Sequence, residues 1–294
     1  MDFGSLLAQA SGDPPSSMMF IDKLARTPLS QIVIFAAVLT AVRLVCYPYL
    51  SKTPKHQRTG GYSFVKVINE LADALIYAAV VVFMLVRPFG IQTFWIPSGS
   101  MIDTLRLNDY IVANKAIYRV AEPKAGDIVV FKPPKNALSV GAPETDYIKR
   151  LIGCPGDVIE LRDKKLYRNG KPVDEPYVRY TSRDSVLDAS EAENIVIPDF
   201  KLINDEGRFV PVMYREGGAY LNSESPADFR VPPGKHQDYM DAKPVAIPDG
   251  YYLFMGDNRN GSYDSRFWGL VPRSSIIGRS EIVWLPFSRW KFTR

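Results

Sequence analysis

The chain has 294 residues, and its 36 basic and 32 acidic side chains give a formal net charge of +4. Apolar residues make up 46% of the sequence and charged residues 23%. These values exclude a wholly disordered chain, and the small net charge argues against a nucleic-acid binder with a concentrated basic face. Two His and two Cys exclude a His-rich metal site and a disulfide framework.

The N-terminal third of the chain contains two apolar runs. Residues 1–28 are polar and rich in Ser, Pro and Gly, which predicts a flexible tail. The run 29–50 would form a helix about 33 Å long, enough to cross a bilayer core of about 30 Å. It is predicted as transmembrane helix 1, with its single charge, Arg43, expected to snorkel outward. A second helix is predicted over 65–87, although this run alone is marginal as a membrane span.

The segment between the two runs is basic. Its acidic residue is Glu70 alone, against four basic residues: Lys52, Lys55, Arg58 and Lys66. The positive-inside rule therefore predicts a cytoplasmic loop over 51–64. The tail and everything after residue 87 would then lie on the outer side.

From residue 88 the pattern changes to short strands, which predicts a mostly β domain. The clearest strands are Asp127–Phe131, Asp157–Leu161, Tyr251–Met255 and Glu281–Leu285, and Asn169-Gly170 predicts a hairpin with a type I′ turn. Residues 181–250 carry 13 acidic and 7 basic side chains, a net charge of −6. They are interpreted as an acidic accessory lobe inserted into a β domain formed by 88–180 and 251–294.

Three segments contain residues that could carry out chemistry. Phe94–Leu105 contains Pro-Ser-Gly-Ser-Met, and Tyr147–Asp157 contains Lys-Arg and Pro-Gly-Asp. Gly256–Gly269 contains Gly-Asp-Asn-Arg and Asp-Ser-Arg. Each alone is typical of a turn, a strand end or a loop. In this order, and together with Gly126–Lys132, they resemble bacterial signal peptidase I. That family consists of membrane-anchored serine endopeptidases that remove signal peptides from exported proteins.

The resemblance implies roles for individual residues. Ser100 would be the nucleophile and Lys149 its general base, which requires burial to lower the lysine pKa from about 10.4 by several units. The Ser98 hydroxyl and the Ser100 N–H would form the oxyanion hole. Ser262 would hydrogen-bond and orient the lysine, and Asp264 with Arg266 would brace the site.

The resemblance also implies the substrate and the cellular setting. The expected substrates are signal peptides of exported preproteins with an Ala-x-Ala cleavage site, bound in shallow apolar pockets. The candidate lining residues are Phe94, Ile96, Pro97, Leu105, Tyr147 and Ile148. A substrate strand could add beside the segment from Gln92 to Pro97. The implied location is the bacterial cytoplasmic membrane, with a multi-pass anchor and the catalytic domain on the outer, periplasmic side.

The resemblance implies no metal or organic cofactor, and membrane lipid and the export machinery are the further partners expected. The C-terminal run Trp284–Arg294 mixes aromatic and basic side chains, a composition that suits the lipid headgroup layer.

One residue departs from the family pattern. Asp103 stands where the family usually has Pro, and a carboxylate near Lys149 would keep the lysine protonated. The alternative is therefore an attenuated or non-catalytic membrane-tethered β module that binds signal peptides or assembly partners. The S-x-x-K motif of penicillin-binding proteins also occurs, at Ser63–Lys66, but no SDN or KTG motif follows it.

Overall fold

The structure is a computed structural model, and it describes residues 29–58, 60–81, 90–138, 145–182, 185–215 and 234–293. The chain divides into two compact units with the boundary between Thr93 and Phe94. The predicted tail, 1–28, lies outside the described residues.

The N-terminal unit is helical, with α1 (Leu29–Lys52), a 3₁₀ turn (Lys55–Gln57) and α2 (Gly60–Val80). Within the described ranges, one helix is long and apolar enough to cross a membrane, namely Ser30–Lys52, with a mean hydropathy of 1.9. Large apolar side chains of α1 such as Phe35, Leu44 and Val45 are exposed. An apolar surface without a protein partner is typical of a helix that faces lipid.

The second predicted span is not established by the structure. α2 begins at Gly60 rather than at residue 65, and it carries Lys66, Glu70 and Asp73. The last part of the predicted span, 82–87, lies outside the described residues. The structure therefore supports one candidate membrane helix, and the multi-pass anchor stays a prediction.

Arg43 is paired with an acidic residue of the neighbouring helix. Its Nη1 atom lies 2.5 Å from Oδ1 of Asp73 on α2. Charged side chains within membrane segments commonly pair with one another, because an unpaired charge in hydrocarbon is costly. Arg43 thus joins α1 to α2.

The C-terminal unit is mostly β, as the sequence predicts. The first strand, β1 (Ile91–Trp95), crosses the boundary between the units. The strands that follow are β2 (Tyr110–Asn114), β3 (Ile128–Phe131), β4 (Tyr147–Gly153), β5 (Ile159–Arg162), β6 (Lys165–Arg168), β7 (Lys171–Pro172), β8 (Thr181–Ser182), β9 (Ser185–Val186), β10 (Asp199–Asp205), β11 (Arg208–Tyr214), β12 (Tyr251–Met255), β13 (Val271–Pro272), β14 (Ile276–Leu285) and β15 (Lys291–Phe292). Its short α-helices are α3 (Ile117–Val120), α4 (Ala189–Glu193), α5 (His236–Asp241) and α6 (Ser265–Trp268). Its described residues also form three 3₁₀ turns: Lys135–Ala137, Arg273–Ser275 and Phe287–Arg289.

The larger sheet has eight strands. Their order is β1-β2-β14-β3-β4-β12-β13, with β15 paired to β14. The pairings from β2 to β13 along this order, and that of β15 with β14, are antiparallel. β4 therefore lies inside the sheet, between β3 and β12, where its side chains are well fixed.

A second, five-stranded sheet has the order β11-β10-β5-β6-β7. β6 and β7 form the predicted hairpin, and Asn169 and Gly170 have φ angles of 53° and 76°. Left-handed backbone at both central residues is what a type I′ turn requires, so this prediction is confirmed. β10 pairs with β5, placing Phe200 opposite Leu161. The sheet thus contains strands from both sides of the predicted lobe boundary at residue 181.

Apolar side chains of both sheets pack into one main core cluster, which includes Phe131, Leu151, Phe200 and Phe254. A second cluster contains Ile96, Met101, Leu105 and Val130. Neighbouring residues of β3 divide between the two clusters, with Val129 in the first and Val130 in the second, because successive side chains of a strand point to opposite faces. The second cluster lies beneath the turn that carries Ser100.

Candidate active site

Ser100 and Lys149 come together although 49 positions separate them in the chain. Lys149 lies on β4, and Ser100 lies in the turn after β1. The Lys149 Nζ atom is 2.7 Å from Ser100 Oγ. Lys149 is 6% exposed and Ser100 is 7% exposed, so both are largely shielded from water but keep a small accessible area.

The turn that carries Ser100 is anchored on both sides. The side chains of Met101 and Leu105 are fully buried. The Leu105 N–H donates to Met101 O at 2.8 Å, and the Ile102 N–H donates to Gly99 O at 3.2 Å. Such packing leaves the turn little freedom. Ser98 Oγ lies 3.3 Å from Ser100 Oγ, so a second hydroxyl stands beside the candidate nucleophile.

Burial changes the acidity of Lys149. Loss of water around the ammonium lowers the pKa of Lys149 to about 8, although the negative charges of Asp264 and Asp257 oppose this shift. An ordinary lysine has a pKa of about 10.4 and is almost wholly protonated at neutral pH. Lys149 is therefore neutral in a substantial fraction of molecules at pH 8, which a general base requires.

Asp264 and Arg266 form a buried bidentate ion pair, with both nitrogen–oxygen distances equal to 2.8 Å. Asp264 Oδ2 also accepts the Gly256 N–H at 2.9 Å, and Arg266 Nη2 donates to Arg259 O at 2.9 Å. Burial alone would raise the pKa of Asp264, but the charge of Arg266 and the hydrogen bonds from Arg266 and Gly256 hold it below its ordinary value. The pair fixes the loop after β12 against the site.

Ser262 is the residue predicted to orient Lys149. Its side chain is buried, but Ser262 Oγ makes no hydrogen bond of normal geometry to Lys149 or to any other described residue. It lies close enough to Asp264 to help lower the pKa of that carboxyl. A role for Ser262 in orienting the lysine stays a prediction.

Asp103 pairs with Arg106. Its Oδ1 atom accepts from Arg106 Nε at 2.7 Å, and the Arg106 Nη2 atom is also 2.7 Å away. The hydrogen bond from Arg106 lowers the pKa of Asp103. The carboxylates that act on the pKa of Lys149 are Asp264 and Asp257. The expected protonation of Lys149 by Asp103 is thus not supported.

The predicted substrate-binding residues divide into two groups. Ile96 and Leu105 are 1% and 0% exposed and belong to the second core cluster. They pack beneath the site and expose almost no surface that a substrate could contact. The other four retain exposed surface: Phe94, Pro97, Tyr147 and Ile148.

Sequence reasoning did not single out the residues that join β4 to the loop after β12. Arg150 donates from Nε and Nη2 to the two carboxylate oxygens of Asp257, at 2.8 and 2.6 Å. Thr104 Oγ1 donates to the same carboxylate at 2.6 Å. Asp257 therefore ties the strand of the candidate base to the turn of the candidate nucleophile. The Gly-Asp-Asn-Arg motif could have pointed to Asp257, because it places this residue in the third segment that resembles the family.

Within the described ranges, no group of three or more His, Cys, Asp or Glu side chains is arranged to hold a metal ion. Cys46 and Cys154 are free thiols. Burial raises the pKa of Cys154, which disfavours the reactive thiolate form.

A buried serine hydroxyl beside a lysine of lowered pKa is the arrangement of serine hydrolases that use lysine as the base. Comparison with known proteins agrees with this class. The model of the family described as signal peptidase, peptidase S26, matches residues 68–285. The chain therefore belongs to the signal peptidase family, whose members are peptidases that process signal peptides, and the resemblance found in the sequence is confirmed.

Individual relatives extend this result. Signal peptidase I of Aquifex aeolicus is 32% identical over 220 residues, which cover 71% of this chain and 81% of that protein. The probable signal peptidase I-2 of a Synechocystis strain is 31% identical over 220 residues, 75% of this chain and 74% of that protein. Among solved structures, a signal peptidase I from Enterococcus faecalis matches at 26% identity with a TM-score of 0.31, covering 54% of this chain and 97% of that one.

Proposed function

We propose that the protein is a membrane-anchored serine endopeptidase that removes N-terminal signal peptides from exported preproteins, with Ser100 as nucleophile and Lys149 as general base. The observation that carries this proposal is the 2.7 Å distance between Lys149 Nζ and Ser100 Oγ. Family membership supports the reaction class, and the lowered pKa of Lys149 supports the assignment of the base.

In the proposed first half-reaction, neutral Lys149 accepts the proton of the Ser100 hydroxyl while Oγ bonds to the scissile carbonyl carbon. The carbonyl electron pair moves to oxygen, and the Ser98 hydroxyl and the Ser100 N–H stabilise this oxyanion. Collapse of the intermediate breaks the C–N bond. The Lys149 ammonium then gives its proton to the leaving amine, and an acyl ester remains on Ser100.

In the proposed second half-reaction, water replaces the amine. Neutral Lys149 takes a proton from the attacking water, the acyl ester breaks, and the proton returns to Ser100 Oγ. The signal peptide leaves with a new carboxyl terminus. Each proton thus moves through one lysine, which suits a chain with only two His residues.

The proposed cleavage site is Ala-x-Ala, because small side chains fit shallow apolar pockets while larger ones overlap the walls. Phe94, Pro97, Tyr147 and Ile148 provide partly exposed apolar surface near the dyad. β1 ends the strand order of the larger sheet, so an extended signal peptide adding beside it belongs to the same proposal.

The proposed membrane arrangement has two spans, α1 and a helix that includes α2, with the basic loop 51–64 in the cytoplasm and the catalytic unit on the outer side of a bacterial cytoplasmic membrane. The Arg43–Asp73 ion pair supports it, since it lets two polar side chains share the apolar region. Contact with the export machinery is proposed for one reason, namely that the proposed substrates are exported preproteins.

Lipid contact by the catalytic unit is also proposed. Phe287, Trp290 and Phe292 are 78%, 56% and 66% exposed near the C-terminus, and Arg289 and Lys291 alternate with them. Exposed aromatic and basic side chains together suit the headgroup region of a bilayer.

A non-catalytic binding module is less well supported. Its main argument was that Asp103 would hold Lys149 protonated, whereas Asp103 is paired with Arg106. A module that only binds peptides has no need for a buried lysine whose pKa is lowered to about 8.

The test is cleavage of a full-length preprotein by the detergent-solubilised chain, with mass spectrometry to locate the cut. Cleavage directly after the Ala-x-Ala site is expected, and Ser100→Ala should abolish it. Ser185→Ala is the matched control, because Ser185 is exposed and the one hydrogen bond of its hydroxyl among the described residues is to Ser182 O. Binding of the preprotein without any cut, at pH 8 or above, would contradict the proposal.

A further inference from the structure

The orientation of the proposed oxyanion donor depends on a single peptide unit. The Ser100 N–H belongs to the peptide bond between Gly99 and Ser100, which is not among the cis bonds of the chain. In a planar trans peptide the C=O and N–H groups point in opposite directions. Any contact that fixes the direction of Gly99 O therefore also fixes the direction of the Ser100 N–H.

Asn258 provides such a contact. Its Nδ2 atom donates to Gly99 O at 3.1 Å, and its backbone N–H donates to Ser100 O at 3.1 Å. Gly99 O also accepts the Ile102 N–H at 3.2 Å within the turn. Asn258 thus holds the carbonyl groups on both sides of the nucleophile. Hydrogen bonding at Gly99 O also polarises the attached N–H, which makes it a stronger donor.

Thr181 holds the Asn258 amide in turn. Thr181 Oγ1 lies 3.0 Å from Asn258 Nδ2 and 3.2 Å from Oδ1. The Thr181 backbone is itself fixed by Asn260, whose Oδ1 accepts the Thr181 N–H at 2.9 Å and whose Nδ2 donates to Thr181 O at 2.7 Å. A Cβ at Gly261 would overlap the Asn258 amide, so the amide has little room to rotate.

We infer that Thr181 and Asn258 form a positioning relay that aims the Ser100 N–H at the substrate oxyanion. The inference rests on the proposed function, since it needs Ser100 to attack a carbonyl. Thr181 lies in β8, at the start of the predicted accessory lobe. The lobe thereby contributes a positioning residue to the site, although it contains neither member of the dyad.

The test compares Thr181→Val, which removes the hydroxyl at nearly constant shape, with Thr181→Ser, which keeps it. Thr293→Val is the matched control, because Thr293 Oγ1 makes a buried hydrogen bond to Ser280 Oγ that involves no residue of the site. For each full-length protein, kcat and KM are measured on a preprotein. The affinities for a peptide aldehyde ending in Ala-x-Ala and for the matching peptide amide are measured as well.

The aldehyde reports on the oxyanion hole. Ser100 Oγ bonds to its carbonyl carbon, the electron pair moves to the carbonyl oxygen, and the serine proton passes to Lys149. The amide reports on substrate binding alone. Loss of a direct oxyanion donor costs about 10²–10³-fold in rate. Thr181 acts through Asn258, so we expect Thr181→Val to lower kcat by about 10-fold and to weaken aldehyde binding by a similar factor. KM and amide affinity should stay within about 2-fold of wild type, and Thr181→Ser should restore kcat.

The inference is overturned if Thr181→Val loses no more kcat than Thr293→Val, if its loss lies in KM, or if aldehyde and amide affinities fall equally. If the unmodified protein neither cleaves the preprotein nor binds the aldehyde more tightly than the amide, the proposed function itself fails and the relay falls with it. A normal wild-type enzyme with an unaffected Thr181→Val variant rejects the relay alone.

Discussion

At the scale of single residues, the activity proposed here depends on the protonation state of one lysine. Lys149 lies in a site with little water, where the two carboxylates that oppose its pKa shift, Asp264 and Asp257, are paired with Arg266 and Arg150. These ion pairs reduce the pull of the carboxylates on the ammonium, so burial prevails and the pKa falls. The same lysine in water would be a poor base at any physiological pH.

The pH dependence of kcat/KM follows from this lowered pKa. Only neutral Lys149 can accept the serine proton, so activity should rise with pH and level off above an apparent pKa of about 8. Below that pH, kcat/KM should fall about tenfold per unit. The measurement is kcat/KM from pH 6 to 9.5, with the thermal midpoint recorded at each pH. A flat profile over this range would argue against Lys149 as the base.

Asp103→Asn is the control for that profile. Because Asp103 pairs with Arg106 and does not act on Lys149, the variant should keep the wild-type apparent pKa and change kcat/KM by less than about 3-fold. A clear fall in the apparent pKa of the variant would show that the Asp103 carboxylate does reach the lysine. Asp103→Pro, which restores the usual family residue, should then also raise activity near neutral pH.

At the scale of elements, one buried carboxylate joins three parts of the site. Asp257, after β12, bonds Arg150 on β4 and Thr104 in the turn after β1. The Arg150 guanidinium also lies 3.8 Å from the centre of the Tyr177 ring. These contacts hold the strand of the proposed base and the turn of the proposed nucleophile at a fixed separation.

Asp257→Ala should therefore destabilise the fold as well as the site. The change leaves the buried Arg150 without its charge partner, a loss that typically costs about 3–5 kcal/mol. Thr104→Val removes one hydrogen bond and should cost about 1 kcal/mol. Urea unfolding of the full-length chain in detergent measures both values. Equal and small losses for the two variants would contradict the buried ion pair.

The elements differ in how far the sequence predicts them. β12 was predicted with its observed bounds, and the type I′ hairpin was recognised because Asn-Gly between two short strands is a local signal. The Thr181–Asn258 contact joins residues 77 positions apart, and neither residue type is unusual for a loop, so nothing in the local pattern predicts it. The local pattern around Arg43 likewise does not predict its ion pair, because the partner, Asp73, lies on another helix.

For the whole molecule, the number of membrane spans decides on which side of the membrane each part of the chain lies. One candidate span, Ser30–Lys52, stands out by length and hydropathy among the described residues. With one span, the loop 51–64 and the C-terminal unit would lie on the same side of the membrane. With two spans they lie on opposite sides, which is what the basic loop predicts.

Labelling of single cysteines in intact cells distinguishes these arrangements. Cys46 and Cys154 are replaced by Ser, and Thr53→Cys or Ser185→Cys is introduced. The two-span arrangement predicts that a membrane-impermeant maleimide labels Ser185→Cys from outside, but Thr53→Cys only after permeabilisation. Labelling of both positions from the same side would show a single span.

Ser100 and Lys149 are proposed to act together as one catalytic pair, and a double-mutant cycle on single-turnover cleavage of a preprotein measures this coupling. The four proteins are wild type, Ser100→Ala, Lys149→Ala and the double variant, all measured at pH 9. Each single change should lower the rate by at least about 10³-fold, and the double variant should be no slower than the slower single variant, because groups that act as a unit are not additive. Losses that multiply in the double variant, or a Lys149→Ala rate within about tenfold of wild type, would contradict the account.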